Sequence, residues 1–225
     1  MPEALVSGPA RLLAIYGGIT GLAYVETDGF RRSASFIMIV PLLLLGFLTL
    51  SLNMRWKTKL LTGFSFFAAA VGIYLRFTYR KRINLIATFL SLAHLLYFLS
   101  FLPCLKRLWH GLAIVMTTVY CSLLYYCFAD LFRSIPSAVI FFSTELGMLC
   151  ASVVAAGSVW HYGSKRTDAQ EAALLRFIGL IILFCVTSQA VINQFAYRLN
   201  RTDYLLSIGI FASEGLLFFA NERAF

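Results

Sequence analysis

The sequence predicts an all-α integral membrane protein, a single bundle of about eight transmembrane helices filling residues 1–225. Three observations carry that prediction. Charged residues make up 13% of the chain, about half the share usual in a soluble domain, which is too few to cover a water-soluble globule of this length. Hydrophobic residues make up 60% and the mean hydropathy is +0.81. The apolar residues also fall in runs close to the ~20 residues that a helix needs to cross the hydrocarbon core. Short charged or proline-bearing breaks separate the runs.

Taken in order, the first run is about Ala10 to Val25, rich in glycine (Gly17, Gly18, Gly21) and closed by Glu26, Asp28, Arg31 and Arg32. The second, Ala34 to Leu52, surrounds Pro41 and is followed by Arg55, Lys57 and Lys59. Arg80, Lys81 and Arg82 close the third, Leu60 to Phe77, and Pro103, Lys106 and Arg107 stop the fourth, Ile83 to Leu102. The fifth is Gly111 to Leu131, with Arg133 and Pro136 in the turn behind it, and the sixth is Ser137 to Val159. His161 to Glu171 is the longest hydrophilic stretch and is expected to be a loop; the seventh run, Leu174 to Asn193, and the eighth, Tyr204 to Ala220, follow it. Connections this short make sequential helices antiparallel neighbours.

The net charge of +9 does not signal a nucleic-acid partner. The basic residues sit in small clusters between apolar runs, as caps that face anionic headgroups. Eight spans place ten of the 19 Lys and Arg on one side and nine on the other, which leaves the orientation open under the positive-inside rule. Five cysteines, an odd number without metal-ligand spacing, give the expectation of no disulfide framework and no metal. The start, Met-Pro-Glu-Ala, has neither a basic segment nor a signal-type cleavage site, so the first run is expected to be kept as a helix. Asn200-Arg201-Thr202 is a glycosylation sequon in a short loop hard against two helices, and modification is not expected. A Gly-rich phosphate loop, a nucleophile elbow and a His-Glu zinc helix are all absent, and no cofactor is expected.

Polar residues at bilayer depth are costly and usually face a partner or a cavity. His94 lies midway along the fourth run, with Tyr97 and Phe101 on its face. Glu145 lies deep in the sixth, above Met148 and Ser152, and Glu214 in the eighth is in heptad spacing with Ser207 and Asn221. Arg76 closes a face of small residues, Ser65, Ala69 and Gly72, in the third. Each position also has a plain structural role available: an interhelical hydrogen bond for His94, a protonated or Arg76-paired carboxyl for either glutamate, and a close helix contact for the small face.

The helix faces resemble the YhhN family of eight-span membrane proteins, whose characterised members are lysoplasmalogenases. Ala93-His94-Leu95-Leu96-Tyr97 followed by Phe101 is similar to that family's A-H-x-x-Y-x-x-x-F. Gly179 through Asn193 and Phe195 matches the spacing of its seventh helix, and Phe211-Ala212-Ser213-Glu214 is placed like its closing Tyr-x-x-Gln. The likeness covers most of residues 34–220. It implies a membrane lipid partner, a lysophospholipid held within the bundle, and an internal membrane such as the endoplasmic reticulum. Under it Glu145, Glu214 and His94 become candidate catalytic groups, and Arg76, Tyr97, Gly72 and Asn193 candidate substrate-binding groups. The family's Gly-Asp and Ser-Asp pairs fall here on Gly72-Ile73 and Val186-Thr187, so both aspartates are replaced. Cleavage of a vinyl ether needs a proton donor to carbon. With isoleucine and threonine in those places the expectation is weak or absent activity unless another acid reaches the cavity. A transporter or channel lined by Glu145, Glu214 and Arg76, or an inactive membrane interaction protein, is the alternative.

Overall fold

The structure is a computed structural model that describes residues 8–30, 34–79, 82–163, 167–197 and 202–224. The sequon, with Arg31, Arg32, Arg80, Lys81, Lys165, Arg166, Arg198 and Arg201, lies outside these residues, apart from Thr202, which begins the last helix.

Among the described residues the chain is all-helical, with eight α-helices and one 3₁₀ turn. They are α1 (Pro9–Glu26), α2 (Ser35–Ser51), α3 (Trp56–Thr78), α4 (Ile83–Phe101), α5 (His110–Phe128), α6 (Pro136–Tyr162), α7 (Thr167–Phe195) and α8 (Thr202–Ala224), with the 3₁₀ turn at Leu102–Cys104. Six of them, α3 to α8, are long and apolar enough to cross a membrane, which makes this an integral, multi-pass membrane protein. The 17-residue α2 is apolar but shorter. In α1 the glycines, Arg11 and Glu26 dilute the apolar content, and it does not reach that set.

Several helices outrun their apolar cores. α3 begins a turn earlier than the apolar run and takes in Trp56 and Lys59. The hydrophilic stretch His161 to Glu171, expected as a loop, is mostly helix, because α6 runs on to Tyr162 and α7 starts at Thr167. Conversely, α5 stops at Phe128, and residues 129–134 are turn. Backbone hydrogen bonding continues through polar residues once a helix leaves hydrocarbon, whereas an apolar run records only the hydrocarbon crossing.

Local chemistry sets the crossings. Pro9 opens α1, where its missing N–H and fixed φ suit a first turn. At the other end the Thr27 hydroxyl donates to the Ala23 carbonyl at 2.6 Å and accepts from the Phe30 N–H at 3.1 Å. Asp28, Gly29 and Phe30 all take positive φ, and this turn drops the Phe30 ring onto Phe211 of α8, with centroids 5.3 Å apart. Gly46 brings α2 tightly against α3: a Cβ there would sit 2.7 Å from the Phe67 ring.

Antiparallel succession puts the start of odd-numbered helices and the end of even-numbered ones on a common side. Trp109 N–H donates to Ser158 Oγ at 2.9 Å on that side, and Arg223 pairs with Glu171 at 2.9 Å. Trp109 also stacks on His161 at 4.5 Å there, as interfacial aromatics do. On the opposite side, Asn84 of α4 donates to Ser137 Oγ of α6. The largest apolar core joins α4, α5, α6, α7 and α8 around Phe101, Leu146, Leu149 and Val153. α5 is peripheral, with Ile114, Val115, Tyr125 and Tyr126 turned outward.

Candidate functional site

Two helix pairs frame the centre of the bundle. α3 and α4 pack closely, as do α7 and α8. Between the pairs lies an internal cavity of about 10 Å³, lined by Ser65 and Ala69 of α3, Ala93, His94 and Tyr97 of α4, Leu180 and Leu183 of α7, and Glu214 and Leu217 of α8. That is room for about one water molecule. An acid, an imidazole, a phenol and a hydroxyl thus meet around one small space in an otherwise apolar interior. Helical spacing explains the convergence: His94 and Tyr97 are three apart on α4, Ser65 and Ala69 four apart on α3, and Glu214 and Leu217 three apart on α8.

A second layer of polar groups continues from this cavity toward the side that carries the start of α7. Tyr97 donates its hydroxyl to the Leu217 carbonyl at 3.0 Å, with the Asn221 Oδ1 at 3.5 Å. Asn221 accepts from Arg176 Nη2 at 2.8 Å and donates to Thr62 Oγ1 at 2.8 Å and to Ser100 Oγ at 3.4 Å. The Arg176 guanidinium lies 4.9 Å over the Phe101 ring, an attraction that strengthens as water is excluded. Arg176 is 2% exposed and is the largest fully buried side chain among the described residues. It stands nine residues inside α7, about 13 Å along the axis from its start.

The remaining sequence candidates divide. Glu145 is 2% exposed, and its Oε2 has no hydrogen-bond partner. It does not line the cavity but lies within electrostatic reach of the half-buried Arg76 near the far end of α3. Asn193 is half-buried near the end of α7, on that same far side. Gly72 is filled by its neighbour: a Cβ would sit 2.7 Å from Leu90 Cδ2, so the glycine makes a close α3–α4 contact. Ile73 joins an apolar cluster with Met38, Leu42 and Phe211, and Thr187 is half-buried on α7; neither lines the cavity. Among the described residues, no three His, Cys, Asp or Glu side chains gather as a metal site would require.

Arg176 was not among the sequence candidates; it fell under the general reading of basic residues as caps between apolar runs. The signal was present: Arg176 stands two residues inside the seventh apolar run, where a cap should not be. Asn221 was noticed only for its spacing from Glu214, and Thr62 and Ser100 gave no signal, since hydroxyls are common in membrane helices.

Comparison of the chain with known protein families, with curated proteins and with solved structures finds no match.

Proposed function

We propose that this chain binds a single-chain phospholipid within its bundle and carries lysoplasmalogenase-like chemistry on Glu214. The observation that carries the reading is the meeting of Glu214, His94, Tyr97 and Ser65 around one cavity with room for a water. Hydrolysis of a vinyl ether needs those parts and little else. A carboxylic acid protonates the outer alkene carbon, leaving an oxocarbenium ion whose charge the new carboxylate faces. Water then adds to the carbon bonded to oxygen and gives its proton back to the carboxylate. The resulting hemiacetal then breaks its carbon–oxygen bond to the glycerol as its hydroxyl proton passes to the glycerol oxygen, releasing aldehyde and the glycerophospho alcohol. Glu214 is the group for both transfers, and His94 and Tyr97 orient the water. Turnover is expected to be slow, because one acid does what the resembled family assigns to two.

In this reading all eight helices cross the bilayer. The 17 residues of α2 and the 18 of α1 reach about 25 and 27 Å, near the ~30 Å of the hydrocarbon core. The resemblance supports an internal membrane such as the endoplasmic reticulum. A space of one water is a poor fit to transport, which needs a path across the membrane.

The test is saturable binding and aldehyde release by the purified protein, given lysoplasmalogen and, separately, the acyl-ester lysophospholipid of equal chain length. Both lipids should bind, and only the vinyl ether should yield aldehyde. Absence of saturable binding by either lipid refutes the reading.

A further inference from the structure

A cavity of about 10 Å³ holds no lipid, so the alkene carbon must reach Glu214 through one of its walls. The outer face of α8 offers the place. Between α1 and α8 runs an apolar groove of about 440 Å³, bordered by Leu13, Tyr24, Phe30, Ile208, Phe211 and Leu216. That volume lies within the range of about 300–1,000 Å³ usual for small-molecule sites. From Leu13 to Tyr24, and from Ile208 to Phe219, the groove follows eleven residue steps of each helix, about 16 Å, or roughly half the hydrocarbon thickness. Leu13, Tyr24 and Ile208 are exposed at its rim, so it opens sideways toward lipid. The floor of α1 is bare: a Cβ built on Gly17 or Gly21 meets nothing within 4 Å.

Tyr16 lines the groove and Glu214 lines the cavity. Tyr16 packs its ring over Gly215, where a Cβ would sit 2.7 Å from Cε1, and donates its hydroxyl to the Phe211 carbonyl at 2.6 Å. It lies within electrostatic reach of Glu214, the next residue along α8. Phe66 and Phe218, with ring centroids 6.4 Å apart, complete the same cluster. Each is next in sequence to a cavity residue, Ser65 and Leu217 respectively. α1 meets α8 sparsely, whereas the α3–α4 and α7–α8 walls are closely packed.

We infer that the α1–α8 groove is the berth of one hydrocarbon chain of a single-tailed lipid and its lateral way to the Glu214 cavity, with Tyr16 as the wall that moves. The occupant follows from the groove's setting. An apolar channel at bilayer depth is filled by hydrocarbon; this one is centred on the middles of α1 and α8 and, at about 16 Å, takes most of one chain. The choice of a single-tailed lipid and the catalytic half of the inference rest on the function proposed above; occupation of the groove by hydrocarbon does not.

The experiment uses the full chain in phosphatidylcholine nanodiscs with a lysophosphatidylcholine carrying a diazirine in its acyl chain, and maps the adducts by mass spectrometry. Aldehyde release from lysoplasmalogen is read in parallel. Label is expected on residues 13–24 and 208–219, competed by unlabelled lysophosphatidylcholine. Gly21→Leu fills the groove from α1 and Ile208→Trp from α8, and each should lower both the label and the aldehyde release at least ten-fold. Val115→Leu on the outward face of α5 should change neither. Label spread over all lipid-facing helices and not competed would mean ordinary bilayer lipid and overturns the inference. Binding and turnover unchanged in both filled variants also overturn it while leaving the proposed function standing. Competed label in the groove with no aldehyde from the unmodified protein confirms the berth and refutes the catalysis.

Discussion

Asn221→Ala is the most informative stability perturbation in this fold. The Asn221 amide accepts from Arg176 and donates to Thr62 and Ser100, and so ties α8 to α7, α3 and α4 at once. Truncation takes an acceptor from a guanidinium that is 2% exposed. A hydrogen bond to a charged group contributes about 1.5–3 kcal/mol, while a neutral interhelical bond in a membrane protein contributes about 0.6 kcal/mol. The expected loss is therefore about 2–4 kcal/mol, a factor of roughly 30 to 1,000 in the folded-to-unfolded ratio. Reversible unfolding by dodecyl sulfate in mixed micelles, followed by tryptophan fluorescence, measures it. A double-mutant cycle with Arg176→Met separates this pair from the rest of the network and should return a coupling of at least about 1.5 kcal/mol. Single changes that add within about 0.5 kcal/mol, or an Asn221→Ala cost below that figure, would refute the reasoning.

Gly72→Val should cost about 1–3 kcal/mol in the same assay by overpacking the α3–α4 contact, and Leu90→Ala should relieve much of that cost, since Leu90 Cδ2 occupies the space. Glu145→Gln should leave stability within about 1 kcal/mol, because Oε2 has no hydrogen bond to lose, and should leave turnover unchanged, because Glu145 is outside the cavity. Ala69→Val adds two methyl groups to a space of about 10 Å³ and should lower aldehyde release at least ten-fold with helicity retained by circular dichroism, at a packing cost of about 1–3 kcal/mol.

Much of the architecture was legible in the sequence. Hydrocarbon imposes a length and a composition on a crossing helix, so the apolar runs located the six long apolar helices α3 to α8 and, among the described residues, also the shorter α2 and the glycine-rich α1. The helix ends were less legible, because no apolar run marks where α3 or α7 begins in the polar interface. In the centre, the offset between His94 and Tyr97 and the depth of Glu214 pointed to groups that do share a cavity. The sequence could not separate Glu145 from Glu214, since both are single carboxyls deep in apolar runs. Their different neighbours follow from the rotation of α6 and α8 about their own axes, which only packing fixes. Arg176 was misread for a related reason: positive charge near a helix end usually reaches for headgroups, and here Asn221 and Phe101 hold it inside. The gate residue Tyr16 left no sequence signal, because its partners on α8 are about 195 residues away.

In the proposed chemistry the proton that reaches carbon comes from Glu214. The direct measurement is the rate of aldehyde release from lysoplasmalogen by the unmodified protein, Glu214→Gln and Glu145→Gln, with folding checked for each. Glu214→Gln is expected to lose about 10²- to 10⁴-fold, the usual cost of removing a general acid, while Glu145→Gln keeps the unmodified rate. Turnover that survives Glu214→Gln, or that is lost instead in Glu145→Gln, would contradict it.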